Sequence, residues 1–161
     1  MEEKFDTIRR KDRVLDRETA IRLLEKGEYG ILSMVGENGY GYGLPLSYVL
    51  EDEHIYFHCA PEGMKLNNLK KDNRVSFCVV GKTRVIPEKF TTEYESTLVF
   101  GMISEGLPEC ERLHALRLIV KKYSPDYVEM AEKYITASFH RTNVLRLDIE
   151  TISGKQKKAG I

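Results

Sequence analysis

YGILSMVGENGYGYGLPLSYVLEDEHIYFHC, residues 29–59, alternates apolar and polar positions in three runs separated by turns too short to hold a helix. YGILSMV at 29–35 leads through Gly36, Glu37, Asn38 and Gly39 to YGLPLSYVL at 42–50, and Glu51, Asp52 and Glu53 then lead to HIYFHC at 54–59. Alternation of this kind marks half-buried strands, and turns of this length join antiparallel neighbours. Parallel pairing would need a crossover of a dozen or more residues, for which there is no room. The stretch predicts an antiparallel meander.

Upstream, Asp16 or Thr19 caps a short helix whose Ile21, Leu23 and Leu24 give it an apolar face, and Gly27 supplies its stop. Downstream, a Pro and Gly loop precedes a brief helix, MKLNNLKKD at 64–72, and RVSFCVVG at 74–81 is a fourth strand. Residues 81–92 contain Pro87 and little apolar periodicity, so they read as an excursion before a strand over about Glu93 to Ser104. Pro108 fits the first turn of a helix reaching Tyr123, with Leu113, Leu116, Ile119 and Val120 on one side, and a second helix follows Pro125 and Asp126. VLRLDIET at 144–151 is the last strand, and SGKQKKAGI after it is a polar, basic tail. About six strands with helices at one end and inserted late predict an α+β protein, an antiparallel β-barrel with flanking helices in one domain over residues 1–161.

The charges balance, 25 Lys and Arg against 25 Asp and Glu, so no global field recruits nucleic acid or an anionic membrane. MEEKFDTIRRKDR lacks the apolar core of a signal peptide, and no apolar run has bilayer length, which predicts a soluble, cytoplasmic protein. Cys59, Cys78 and Cys110 are odd in number and far apart, so they read as reduced thiols.

His54 and His58 have the spacing of a metal pair on a helix. On a strand the same spacing puts them about 13 Å apart, too far for one ion, so no metal site is predicted. His114 and His140 read as packing or surface residues. Gly39, Gly41 and Gly43 imitate a dinucleotide loop but lead into Pro45 and more strand, so they are turn and close-approach glycines. Pro45 lacks a ladder donor, which puts its strand at an edge, at a bulge or beside a ligand. Ser33, Ser47 and Ser96 have no nucleophile elbow, and Lys65, Lys70 and Lys71 read as a solvated helix face rather than a nucleic-acid patch. The change from strand to helix over HIYFHCAPEGMK, His54 to Lys65, leaves free backbone N–H groups where Met64 and Lys65 sit, an arrangement suited to a phosphate. Taken by itself, Lys65 reads as a solvated lysine on a loop.

The order of several motifs resembles the pyridoxamine 5′-phosphate oxidase-like flavin-binding split barrels, and among them the nitroimidazole-resistance proteins. The matching pieces are RRKDR at Arg9 to Arg13, the helix ending in Gly27, YGILSM, LPLSYV, IYFHCAPEGMK, RVSFCVV, TTEYESTLVFG and ISGKQ. The resemblance covers nearly the whole chain and implies a homodimeric split barrel holding FMN, or FAD, in a groove between subunits. It implies that Pro45, Leu46, Ser47 and Tyr48 line the isoalloxazine, that His58, Cys59 and Ala60 flank the ribityl chain and ring, and that Met64 and Lys65 meet the phosphate. The resemblance also implies that Glu95 and Ser96 complete the pocket, from the second subunit, and that Gly154 with Lys155 closes one side. His58 is the candidate catalytic residue, orienting a small-molecule acceptor such as a nitro compound or quinone, or donating a proton to it. Pyridoxamine oxidase has basic residues where Met64 and Ser47 stand, which argues against its vitamin substrate. A flavin-storage protein, or a barrel holding a deazaflavin or haem, is the alternative.

Overall fold

The computed structural model describes residues 8–159; the leader reading at 1–7 lies outside them. A 3-10 turn at Lys11–Arg13 leads into β1 (Val14–Leu15), and α1 (Arg17–Lys26) follows. Asp16 is its cap: the carboxylate accepts the Thr19 N–H at 2.8 Å and the Thr19 hydroxyl at 2.7 Å. Gly27 ends the helix without a left-handed turn, at φ −63°. It is needed for closeness, since a Cβ there would stand 2.5 Å from Val79 Cγ1 and 2.6 Å from the Tyr48 hydroxyl.

Next come β2 (Tyr29–Val35), β3 (Gly41–Ser47), β4 (Val49–Glu51) and β5 (His54–Cys59). The sheet runs β3-β2-β6-β7-β8-β5-β4, with β1 paired to β8, and every pairing is antiparallel. The three predicted runs are therefore strands, but not a meander. β2 with β3 and β4 with β5 form two hairpins at opposite ends of the sheet. Only Tyr48 separates β3 from β4, so the sheet must curl until its two edges nearly meet. Those edges are not hydrogen-bonded to each other, which makes the barrel split. Pro45 lies on edge strand β3, as its missing N–H requires.

After α2 (Met64–Lys71), β6 (Arg74–Ile86) and β7 (Thr91–Ser104) form one long hairpin. The predicted excursion at 81–92 is its outer half: the register shifts between Val80 and Thr83, and pairing resumes to Ile86 and Thr91. Apolar periodicity fades there because most of this arm is exposed on both faces. Pro108 precedes α3 (Glu109–Tyr123), and a 3-10 turn at Pro125–Tyr127 leads to α4 (Val128–Ser138). β8 runs from Asn143 to Lys157, so most of the predicted tail is strand, paired with β7 and β1. Eight strands rather than six follow from the short β1 and the division at Tyr48.

Leu32, Phe57, Phe77, Val79, Val99, Leu145 and Leu147 fill the barrel, joined by Leu24 of α1 and by Leu66 and Leu69 of α2. A second cluster packs Ala115, Leu116 and Ile119 of α3 and Ile135 of α4 against Val49, Tyr56 and Val144. Among the described residues, no helix is long and apolar enough to cross a membrane.

Candidate functional site

Alternation along β5 sends Ile55 and Phe57 into the barrel and leaves His58 exposed at the strand end. Cys59, one residue on, packs partly against the barrel core. The chain then turns at Gly63, whose φ of +125° suits glycine, and enters α2. A Cβ on Gly63 would meet nothing within 4 Å, so the space over the turn is open. Leu66 and Asn67 donate to the Gly63 carbonyl at 3.0 and 3.2 Å, while the Met64 and Lys65 amides sit in the first turn, before the helix offers them a carbonyl.

The Lys65 ammonium lies against the Cys59 thiol and acts on His58. Burial pushes the Cys59 thiol up, with Lys65 opposing it. Partial desolvation at the strand end and then the Lys65 charge hold the His58 imidazole below its ordinary 6.5, which favours its neutral form. First-turn amides, the helix dipole and an ammonium within one short segment fit a phosphate.

A second group of expected residues lies on the outer face of the sheet. Pro45, Ile31, Cys78, Leu98 and Ser153 are directly opposite one another across β3, β2, β6, β7 and β8. In the neighbouring row Ser47 faces Tyr29, and Ser96 faces Val80 on one side and Lys155 on the other. Tyr29 is 58% exposed, Ile31 37% and Val80 58%, while Leu32, Phe77, Val79 and Val99, which point the other way, are buried. This surface carries exposed apolar side chains and is open to solvent, which suits a planar ring or a second protein surface.

The remaining expected residues point elsewhere. Leu46 packs partly against the barrel core. Tyr48 is fully buried, with its hydroxyl donating to the Leu24 carbonyl. Its N–H donates to the Tyr123 hydroxyl at 2.8 Å, and that hydroxyl has the Tyr48 and Glu28 carbonyls at 2.7 Å to share its single proton. The Tyr48 backbone is thus engaged by α3. Glu95 lies against Gly81 and accepts the Lys82 N–H at 3.2 Å. Gly154 is buried, and a Cβ there would come 2.8 Å from the Cβ atoms of Leu15 and Ala20. It lets α1 and β1 approach.

Lys122 and Tyr123 belong to this region but carry no sequence signal, because their partner at Tyr48 is far away along the chain. The Lys122 ammonium stands 3.9 Å over the Tyr48 ring without a hydrogen-bond partner, and burial pushes its pKa down to about 8. Both residues line a cavity of about 520 Å³ with Ser47, Tyr29, Glu25, Lys26 and Glu28.

The strand–helix junction lies far from Ser96 and Lys155 within one chain. His58 is opposite Val144, and Ser96 is opposite Lys155. From position 144 to 155, β8 covers about 36 Å at roughly 3.3 Å per residue.

The family model described as pyridoxamine 5′-phosphate oxidase matches residues 16–156 of the chain. The chain belongs to that family. Among solved structures, this family member is similar to a candidate 5-nitroimidazole antibiotic resistance protein of Bacteroides thetaiotaomicron, with TM-score 0.74 and 20% identity over 89% of this chain and 86% of that one. A FAD-binding protein of Mesorhizobium loti aligns with TM-score 0.66 and 22% identity over 91% and 98%. The flavocytochrome Anf3 of Azotobacter vinelandii aligns with TM-score 0.79 and 19% identity over 95% and 73%. At these identities the likeness shows the split-barrel fold. No curated protein matches the chain in sequence.

Proposed function

We propose that this family member is a homodimeric flavoprotein that passes electrons from bound FMN to a small acceptor such as a nitro compound or a quinone. The observation that carries the reading is the separation along β8. The junction at His58–Lys65 and the residues Ser96 and Lys155 are too far apart along β8 to line one flavin within a chain, and exposed Tyr29, Ile31 and Val80 lie on the same outer face as Ser96. A second copy, packed face to face, supplies the missing half of each groove.

Lys65 and the first amides of α2 hold the phosphate, Pro45 and Ser47 offer the wall for the ring, and Ser96 and Lys155 of the other subunit close the groove. Tyr48 positions β3 through its clamp to Tyr123 rather than by touching the ring. When bound, the flavin supplies the hydride and electron chemistry. His58, neutral at pH 7, donates an N–H hydrogen bond that orients the acceptor. Its charge-free state also spares the groove a second cation beside Lys65.

Purified protein tests this directly: a yellow dimer with one FMN per chain that turns over NADH or NADPH with a nitroaromatic is expected. A colourless protein that FMN cannot reconstitute overturns the reading. Chromatography of the released cofactor separates FMN from FAD, and tight flavin without turnover makes the protein a flavin carrier.

A further inference from the structure

The N-terminal 3-10 turn and the end of β8 enclose a second concave site that the flavin reading does not use. It is a cavity of about 370 Å³ lined by Arg10, Asp12, Arg13, Gln156, Lys157 and Lys158. Four cations there face one carboxylate. Arg10 already holds that carboxylate through two bonds, Nε to Oδ1 at 2.8 Å and Nη2 to Oδ2 at 2.6 Å. Arg13 lies 3.9 Å from it, and only 21% of the Arg13 side chain is exposed. Lys157 donates to the Thr91 hydroxyl.

The strand register explains the convergence. β1 pairs Val14 with Lys155, which brings Arg13 to the end of β8, and β7 pairs Tyr94 with Lys157. The Tyr94 hydroxyl meets both Arg13 and Lys155, which holds Arg13 beside the end of β8. Glu93, close by, is occupied with Arg84 and the Ala159 N–H.

Surplus positive charge on a concave wall attracts anions, and a guanidinium takes phosphate oxygens in pairs. The cavity, at about 370 Å³, has room for more than one phosphate. We propose that this cavity binds the diphosphate of a nucleoside diphosphate group, the element common to FAD and the nicotinamide dinucleotides. It goes beyond the flavin reading, which uses none of the six lining residues, although Lys155 of the proposed groove is their neighbour.

The test is calorimetric titration of the full chain with ADP, and separately with FMN, at low and physiological salt. ADP binding is expected, weakened roughly tenfold or more in Arg13→Gln/Lys157→Gln, with FMN affinity unchanged. Because Arg13 is partly buried, Lys158→Gln is a second variant whose exposed side chain leaves folding intact. It should weaken ADP about threefold and flatten the salt dependence. No ADP binding to the unmodified protein, equal ADP affinity in both variants, or an equal loss for FMN would overturn the proposal. ADP binding by a protein that takes no FMN would sink the flavin reading and leave this site standing. Titrations with FAD and NADPH identify the source, as the natural ligand loses affinity in the double variant.

Discussion

The junction at His58–Lys65 and the outer sheet face at Pro45, Ser47, Ser96 and Lys155 are built in opposite ways. The junction is local: one strand end, one glycine turn and one helix start bring His58, Cys59 and Lys65 together within a few residues. The outer face is assembled from five strands, and neighbours such as Ile31 and Cys78 are far apart in sequence. The first is formed within a few residues of one chain, whereas the second, in the proposed dimer, would be completed by another subunit. The difference teaches that a local motif can be legible in the sequence while a surface assembled from distant strands is not.

Breaking the outer face should have the largest effect. Ile31→Arg puts an unpaired charge into the proposed subunit contact, costing about 3–5 kcal/mol, and monomers with little FMN should appear in sedimentation. Breaking the junction should be milder. Lys65→Ala is expected to leave the dimer intact and weaken FMN by about 1.5–3 kcal/mol, measured by fluorescence titration, with a shallower salt dependence.

The buried clamp between the two regions can be tested separately. Tyr123→Phe leaves the Tyr48 N–H without its acceptor and should cost about 1–3 kcal/mol in urea unfolding. Lys122→Met should stabilise the protein by about 1–2 kcal/mol at pH 7, where burying the ammonium opposes folding. The folded Lys122 pKa is about 8 against its ordinary 10.5, so unmodified protein gains stability as pH rises between them. The advantage of the variant should shrink over that window.

The smallest effect belongs to His58. Its folded pKa lies below 6.5, so its contribution to stability is present above that value and fades as pH falls through the folded pKa. Thermal melts of His58→Gln should lose that part of the acid sensitivity, and kcat with a nitroaromatic should fall while FMN is retained.

Strand and helix positions within 16–72 were legible because alternation, turns and the Asp16 cap act over a few residues. Their connection was not. One residue, Tyr48, decides whether β3 pairs with β4 or crosses the split, and its clamp lies on α3. The arm at 81–92 and the end of β8 were missed for a related reason: strands exposed on both faces, or rich in lysine, lose the alternation that marks a strand. In the candidate site, His58, Cys59 and Lys65 were legible as neighbours. Gly154 proved to be a packing glycine, a role set by Leu15 and Ala20.

The central claim is that each flavin groove takes Lys65 from one chain and Ser96 from another. Mixed dimers of Lys65→Ala and Ser96→Trp chains test it most directly, by FMN titration after the two variants are unfolded together and refolded. A composite groove places both defects in one site of the mixed dimer and leaves the other intact, so FMN binding of unmodified affinity should return at one site per mixed dimer. Binding no tighter than in either variant alone would mean that the two residues act within one chain, and would contradict the account.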